Sequence, residues 1–282
     1  MASYDAFSHY CRSLFPISAK ERLIAMLTVY ADESGQDGVS PLVTVAGYIA
    51  DQDAWLAFQE EWNQYTADNG IEVFHATDMG TNRKAFSPEN GWSRNRCTAA
   101  LRIADNIISK HVWQAFVSFT TIADCEKLFP PKHPLRKRDR FAWEYCLCGM
   151  GLINLVKKWK TDNQIDEPVR FVFERGARGR HELDLALQWN EEHTPELVAG
   201  HSFEPKGSFA QLYSADRLAN LTCRTFNEYR RSTKGFDDQL ANKLKLNSRY
   251  TFVIDEENWP ELDANMRASV EEWYESFSRD EE

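Results

Sequence analysis

Two adjacent carboxylates, Asp32 and Glu33, stand in the stretch YADESGQDG (Tyr30 to Gly38), directly behind the apolar run LIAMLTVY. That run reads as a strand entering a core, yet Asp and Glu are depleted in strands and rarely buried without a partner. Two further acids occupy comparable positions. Glu174 closes VRFVFE just ahead of the turn signal RGARG, and Asp216 sits on a helix three residues before the stripe member Ala219, about 60° from its buried face. If the two strands are neighbours and the helix covers their ends, Asp32, Glu174 and Asp216 converge. Grouped carboxylates repel and raise one another's pKa values. A divalent cation removes that conflict, and Mg²⁺ takes hard oxygen ligands while keeping several waters. Each acid taken singly also fits a turn residue or a helix cap. Glu174 beside Arg175, and Asp216 beside Arg217, fit ordinary ion pairs equally well.

The elements that must position these acids follow from hydrophobic periodicity. Strands are expected at about 26–33 and 42–50 (LVTVAGYIA), joined as a hairpin through a Gly/Ser-rich turn. Asp51 caps a helix bearing Trp55, Phe58, Trp62 and Tyr65 on one face. IEVFH reads as a short strand ending at His75; Ala100, Leu101, Ala104, Ile107 and Ile108 mark a helix, and VWQAFVSFTTI a strand. A long helix carries Phe141, Tyr145, Cys148, Leu152, Leu155, Val156 and Trp159. After VRFVFE come a helix in HELDLALQW and a strand in ELVAGHSFE. The segment Gln211 to Tyr229 repeats Ala215, Leu218, Ala219, Thr222, Cys223 and Phe226 on one helical face. Met266, Val270, Trp273 and Phe277 share a face near the acidic end. Strands first in hairpin order, then alternating with helices, predict an α/β domain with a mixed sheet, parallel in its second half.

The chain has 282 residues, 43% of them hydrophobic, nine Trp and a net charge of −10. This composition suits a packed globular protein and argues against a general nucleic-acid-coating protein. No apolar run approaches the length of a membrane span, and no signal peptide is expected. Cys11, Cys97, Cys125, Cys146, Cys148 and Cys223 are scattered without a CxxC pair; reduced thiols in a cytoplasmic protein are the expectation. Basic residues cluster in KHPLRKRDR (Lys132 to Arg140) and RGARGRH (Arg175 to His181), where solvated loops are the ordinary explanation. No P-loop or GxGxxG is present.

YADESG after an apolar strand, FHATDM (Phe74 to Met79) and the helix AQLYSADRLAN together resemble the domain-of-unknown-function 3800 family, from roughly Thr28 to Phe226. The resemblance implies a ribonuclease-H-like mixed sheet flanked by helices over 26–230, with an N-terminal extension (1–25) and a C-terminal extension (231–282) holding an acidic helix. It implies a metal-dependent nuclease using Mg²⁺ or Mn²⁺. Asp32 matches the acid of the first strand and Asp216 the helical acid. Glu174 stands where family members usually carry an Asp. Glu33 is also a family feature; its side chain is expected on the other strand face, where it supports the metal shell. Two metal ions about 3.5–4 Å apart clamp the attacking and leaving oxygens in such enzymes. Arg175, Arg178 and Arg180 are then candidates for phosphate contact, His75 for phosphate contact or proton transfer, and Asn220, one turn beyond Asp216, for a metal water. The expected partner is a nucleic-acid substrate, with association into a homo-oligomer or with a protein partner through the terminal segments. Two other readings stay open. One is a catalytically silent scaffold with an aromatic surface, for which Trp92, Trp113 and Trp259 are candidates; the other is a metal-dependent enzyme acting on a small phosphate.

Overall fold

The computed structural model describes residues 27–36, 40–128, 140–229 and 249–254. The expected N-terminal extension, residues 132–139 of the basic run, Cys11, Trp259 and the C-terminal helix of Met266, Val270, Trp273 and Phe277 lie outside the described residues.

The hairpin expectation holds: β1 (Leu27–Ser34) pairs antiparallel with β2 (Leu42–Ala50), which pairs antiparallel with β3 (Gln114–Thr121). On the other side of β1 the pairing turns parallel, first with β4 (Val169–Glu174) and then with β5 (Val198–Glu204). A strand not anticipated from sequence, β6 (Arg249–Ile254), runs parallel to β3, giving the order β5-β4-β1-β2-β3-β6. The sheet therefore continues past residue 230 into the segment expected to be an extension. This is the mixed sheet flanked by helices that the sequence led us to expect.

Every residue of β2 is buried, as a central strand covered on both faces requires. Against one face lie α1 (Gln52–Asn69), the short α2 (Ala76–Thr81), α3 (Arg94–His111) and α7 (Ala210–Tyr229), packed on Tyr30, Ala46, Tyr48, Val117 and Val172. The other face, built from Val29, Ala31, Val45, Phe116, Phe171 and Phe173, carries α4 (Ile122–Leu128), α5 (Arg140–Asn163) and α6 (Arg180–His193). Asp51 caps α1 as expected, its carboxylate accepting the Ala54 N–H at 2.8 Å.

IEVFH is not a strand. Gly70 ends α1 in the left-handed region (φ 64), and the N–H groups of Gly70 and Ile71 return to the Ala67 and Thr66 carbonyls. The chain then buries Ile71 and Phe74 singly and leaves Val73 exposed before His75 opens α2. Its β-favouring composition serves two isolated core contacts rather than a ladder.

Candidate active site

Parallel register brings two of the acids side by side. Ala31 of β1 stands opposite Phe173 of β4, so Asp32 and Glu174 follow at the point where both strands leave the sheet. Tyr30 and Val172, one step earlier in the two-residue alternation, pack on the α7 side; Asp32 and Glu174 therefore face α7 as well. Asp216 meets them from that helix, only 6% exposed. Its Oδ2 accepts the N–H of Ala76 at 2.8 Å, one of the donors that a helix start leaves without an intrahelical acceptor. Glu33 alternates to the α5 side, where its charge, with that of Asp32, adds to burial in pushing the buried Tyr145 hydroxyl well up.

The three acids share a cation that the sequence reading did not include. Lys206, in the turn between β5 and α7, places Nζ 3.4 Å from Glu174 Oε2 and 3.8 Å from Asp216 Oδ2. Those two oxygens are thus no farther apart than the sum of the two contacts. A lysine in the short PKG turn that follows a strand parallel to β4 is the signal that could have identified it. Burial lowers the Lys206 pKa, but Asp216, Asp32 and Glu174 together outweigh it and hold the ammonium above the ordinary lysine range. Asp32 is 4% exposed. Its carboxyl is pushed well above the usual range first by burial, then by the charges of Glu33, Glu174 and Asp216. Glu174 is raised chiefly by burial, with Lys206 opposing.

Neighbouring arginines do not discharge these acids. Arg217 is turned to Asp105 in a bidentate pair, Nε–Oδ1 2.7 Å and Nη2–Oδ2 2.8 Å. Arg175 spends its guanidinium on the Phe203 carbonyl, at 3.3 Å from Nε and 3.1 Å from Nη2. The ion-pair explanations for Glu174 and Asp216 therefore fail at the adjacent residues, and Lys206 takes that role.

Of the other expected substrate contacts, Arg180 lies over the Phe203 ring at 5.7 Å. The backbone of Arg178 exchanges two 2.9 Å hydrogen bonds with the Gln36 side chain, tying the RGARG loop to the β1–β2 turn and leaving the Arg178 side chain exposed. His75 caps α2, its Nδ1 accepting a long 3.4 Å bond from the Asp78 N–H. Asn220 donates to Thr77 Oγ1 at 2.9 Å. Trp92 is buried against Phe86 and so unavailable as a surface aromatic, whereas Trp113 is 47% exposed.

Among the described residues no three His, Cys, Asp or Glu side chains are drawn to metal-ligand spacing. The acids face one another around an ammonium instead. The donor set still suits a hard cation: Asp32, Glu174 and Asp216 offer carboxylate oxygens around one ammonium, and Asn220 Oδ1, one turn along α7 from Asp216, is buried without a hydrogen-bond partner. Hard oxygens of this kind are what an oxygen-seeking dication would engage.

No protein-family model matches the sequence, and no curated protein matches it. Among solved structures, the chain is similar to a chain of the PCNA:RNase HII complex from Archaeoglobus fulgidus. The identity is 13% and the TM-score 0.41, over 89% of this chain and 90% of that one. Among the described residues no helix is long and apolar enough to cross a membrane.

Proposed function

We propose that this protein is a metal-dependent nuclease that hydrolyses phosphodiester bonds in nucleic acid, with Mg²⁺ or Mn²⁺ held by Asp32, Glu174 and Asp216. The observation that carries this reading is that these acids, from β1, β4 and α7, converge on a single positive charge at the edge where parallel strands end. A dication pair, when bound, supplies the charge that clamps attacking and leaving oxygens. Asp32, the most buried of the strand-end acids, would hold the cation together with Glu174 and Asp216. Glu33 sustains the negative potential from the opposite strand face, as its effect on Asp32 and Glu174 indicates. Lys206 balances the cluster's charge, and with a cation held by the carboxylates its ammonium would be available to substrate phosphate. His75, its side chain 35% exposed and next in sequence to the Ala76 N–H that steadies Asp216, is the group placed to move a proton at the leaving oxygen. Arg178 contributes phosphate contact beside Glu174, while Arg175 and Arg180 position the loop that carries it.

Incubation of labelled single-stranded, duplex and hybrid nucleic acids with Mg²⁺ or Mn²⁺ tests the proposal. Asp32→Asn and Asp216→Asn, checked for retained fold, should each lose about a hundredfold or more in rate. Equal rates in wild type and both variants would refute it.

A second reading, a catalytically silent domain of the same fold, draws on Lys206 itself: an acid cluster already matched by an internal ammonium can be a structural ion group. Calorimetric titration with Mn²⁺ separates the two, because a structural ion group binds none.

A further inference from the structure

We infer that a polynucleotide backbone is held in a groove lined by Arg83, Arg94 and Arg224, beside the acids. This rests on the nuclease reading for its biological sense but not for its physical content. A cavity of about 520 Å³ opens between α2, the start of α3, the end of β1 and α7, and its walls include these three arginines with Ser34, Thr77 and Asn220. It begins where the acids end. Ser34 shares its strand face with Asp32, two residues earlier, and Asn220 and Arg224 continue the i, i+4 row that starts at Asp216. From Asp216 to Arg224 that row rises roughly 12 Å, the span of roughly three to four nucleotides in a B-form strand.

All three arginines are exposed, and none forms an ion pair with a carboxylate among the described residues, although acids outnumber bases by ten in the chain. Lys84, between them in the fold, is by contrast paired with Asp78 at 3.2 Å. Gly80 makes room for one of the three: a Cβ there would stand 2.8 Å from Arg224 Nη1, so a larger residue would push the guanidinium out of the groove. Three unpaired planar forks with hydroxyl and amide donors suit repeated phosphates, and no aromatic platform among the lining residues reads base identity. The ligand is therefore a polyanion recognised by its backbone, bound with little sequence preference.

Binding of labelled single-stranded DNA, single-stranded RNA and duplex, measured with and without Ca²⁺ in place of Mg²⁺ and across a salt series, tests the groove independently of cutting. The triple variant Arg83→Ala/Arg94→Ala/Arg224→Ala should bind at least about tenfold more weakly at low salt, with the log–log salt slope on single strands reduced by about 2. The matching Arg→Lys set keeps the slope, and Lys158→Ala, a charge loss on the opposite layer, changes neither quantity. The DNA and RNA arms show which backbone is preferred. Unchanged affinity and slope in the triple variant, no binding by wild type, or a mononucleotide bound as tightly as the oligonucleotide would each overturn the groove. A protein whose groove binds but which cuts nothing with Mg²⁺ refutes the nuclease reading alone. Cutting that survives the triple variant unchanged refutes the groove alone.

Discussion

Replacing Asp32 with Asn should stabilise the cation-free protein while removing its response to Mg²⁺. Asp32 is buried, and burial together with Glu33, Glu174 and Asp216 holds its carboxyl well above the usual range. Lys206 is drawn to Asp32, but for Asp32 burial and three like charges outweigh that attraction. An acid with a raised folded pKa binds its proton more tightly when folded. Stability therefore falls as pH rises from the unfolded value, near 3.8, through the folded one, and stays lower above it. Each unit of displacement costs about 1.4 kcal/mol. Asparagine keeps the shape without the charge, and a net gain of about 1–3 kcal/mol is expected, the scale of other buried unsatisfied groups. At 2–4 °C per kcal/mol for a domain of about this size, the melting temperature in EDTA at neutral pH rises by roughly 2–12 °C. The gain should shrink towards about pH 4, where the wild-type carboxyl is itself protonated. Thermal melts followed by circular dichroism measure it. Added Mg²⁺ should then raise the wild type, by about 2.7 kcal/mol at a hundred times the dissociation constant, and leave Asp32→Asn nearly unmoved. A variant that melts below wild type in EDTA and gains equally from Mg²⁺ would refute both the electrostatic strain and the metal site.

Lys206→Met removes the ammonium between Glu174 and Asp216; the cation-free protein should melt a few degrees lower and bind Mg²⁺ about tenfold more tightly by calorimetry. Because the folded pKa of Lys206 is raised, its contribution is complete below the unfolded value of 10.5 and is lost only as pH rises through the higher folded one, so the deficit should be constant through neutral pH. Metal affinity should weaken on acidification earlier than for ordinary carboxylates, since the raised Asp32 and Glu174 must lose protons first; a titration of Mn²⁺ binding against pH reads this directly. Arg217→Ala leaves the half-buried Asp105 carboxylate without its bidentate partner and should cost about 3 kcal/mol in chemical denaturation, with no change in Mg²⁺ affinity for the folded protein.

The amino-acid sequence by itself determined most of the elements and the three acids. Apolar alternation and helical stripes are local signals; Asp32 and Glu174 sit where a strand signal stops and Asp216 beside a helical stripe, so the three were legible one at a time. Their meeting was decided by tertiary structure, through the parallel register of β1 with β4 and the laying of α7 across their ends. Arg83, Arg94 and Arg224 carry no local pattern that distinguishes them from surface residues, and the PKG turn marks Lys206 only once β5 is seen to lie beside β4; only the fold shows which charges are paired and which are not. The same reason sets Arg175 apart: beside Glu174 it suited an ion pair or a phosphate contact, but the neighbouring strand β5 supplies the carbonyl that binds it. IEVFH failed as a strand because its first backbone donor, the Ile71 N–H, closes the end of α1, a contact that side-chain composition does not encode. Local sequence sets where a polar group leaves the core, whereas the long-range pairing of strands and helices sets which other charges it then meets.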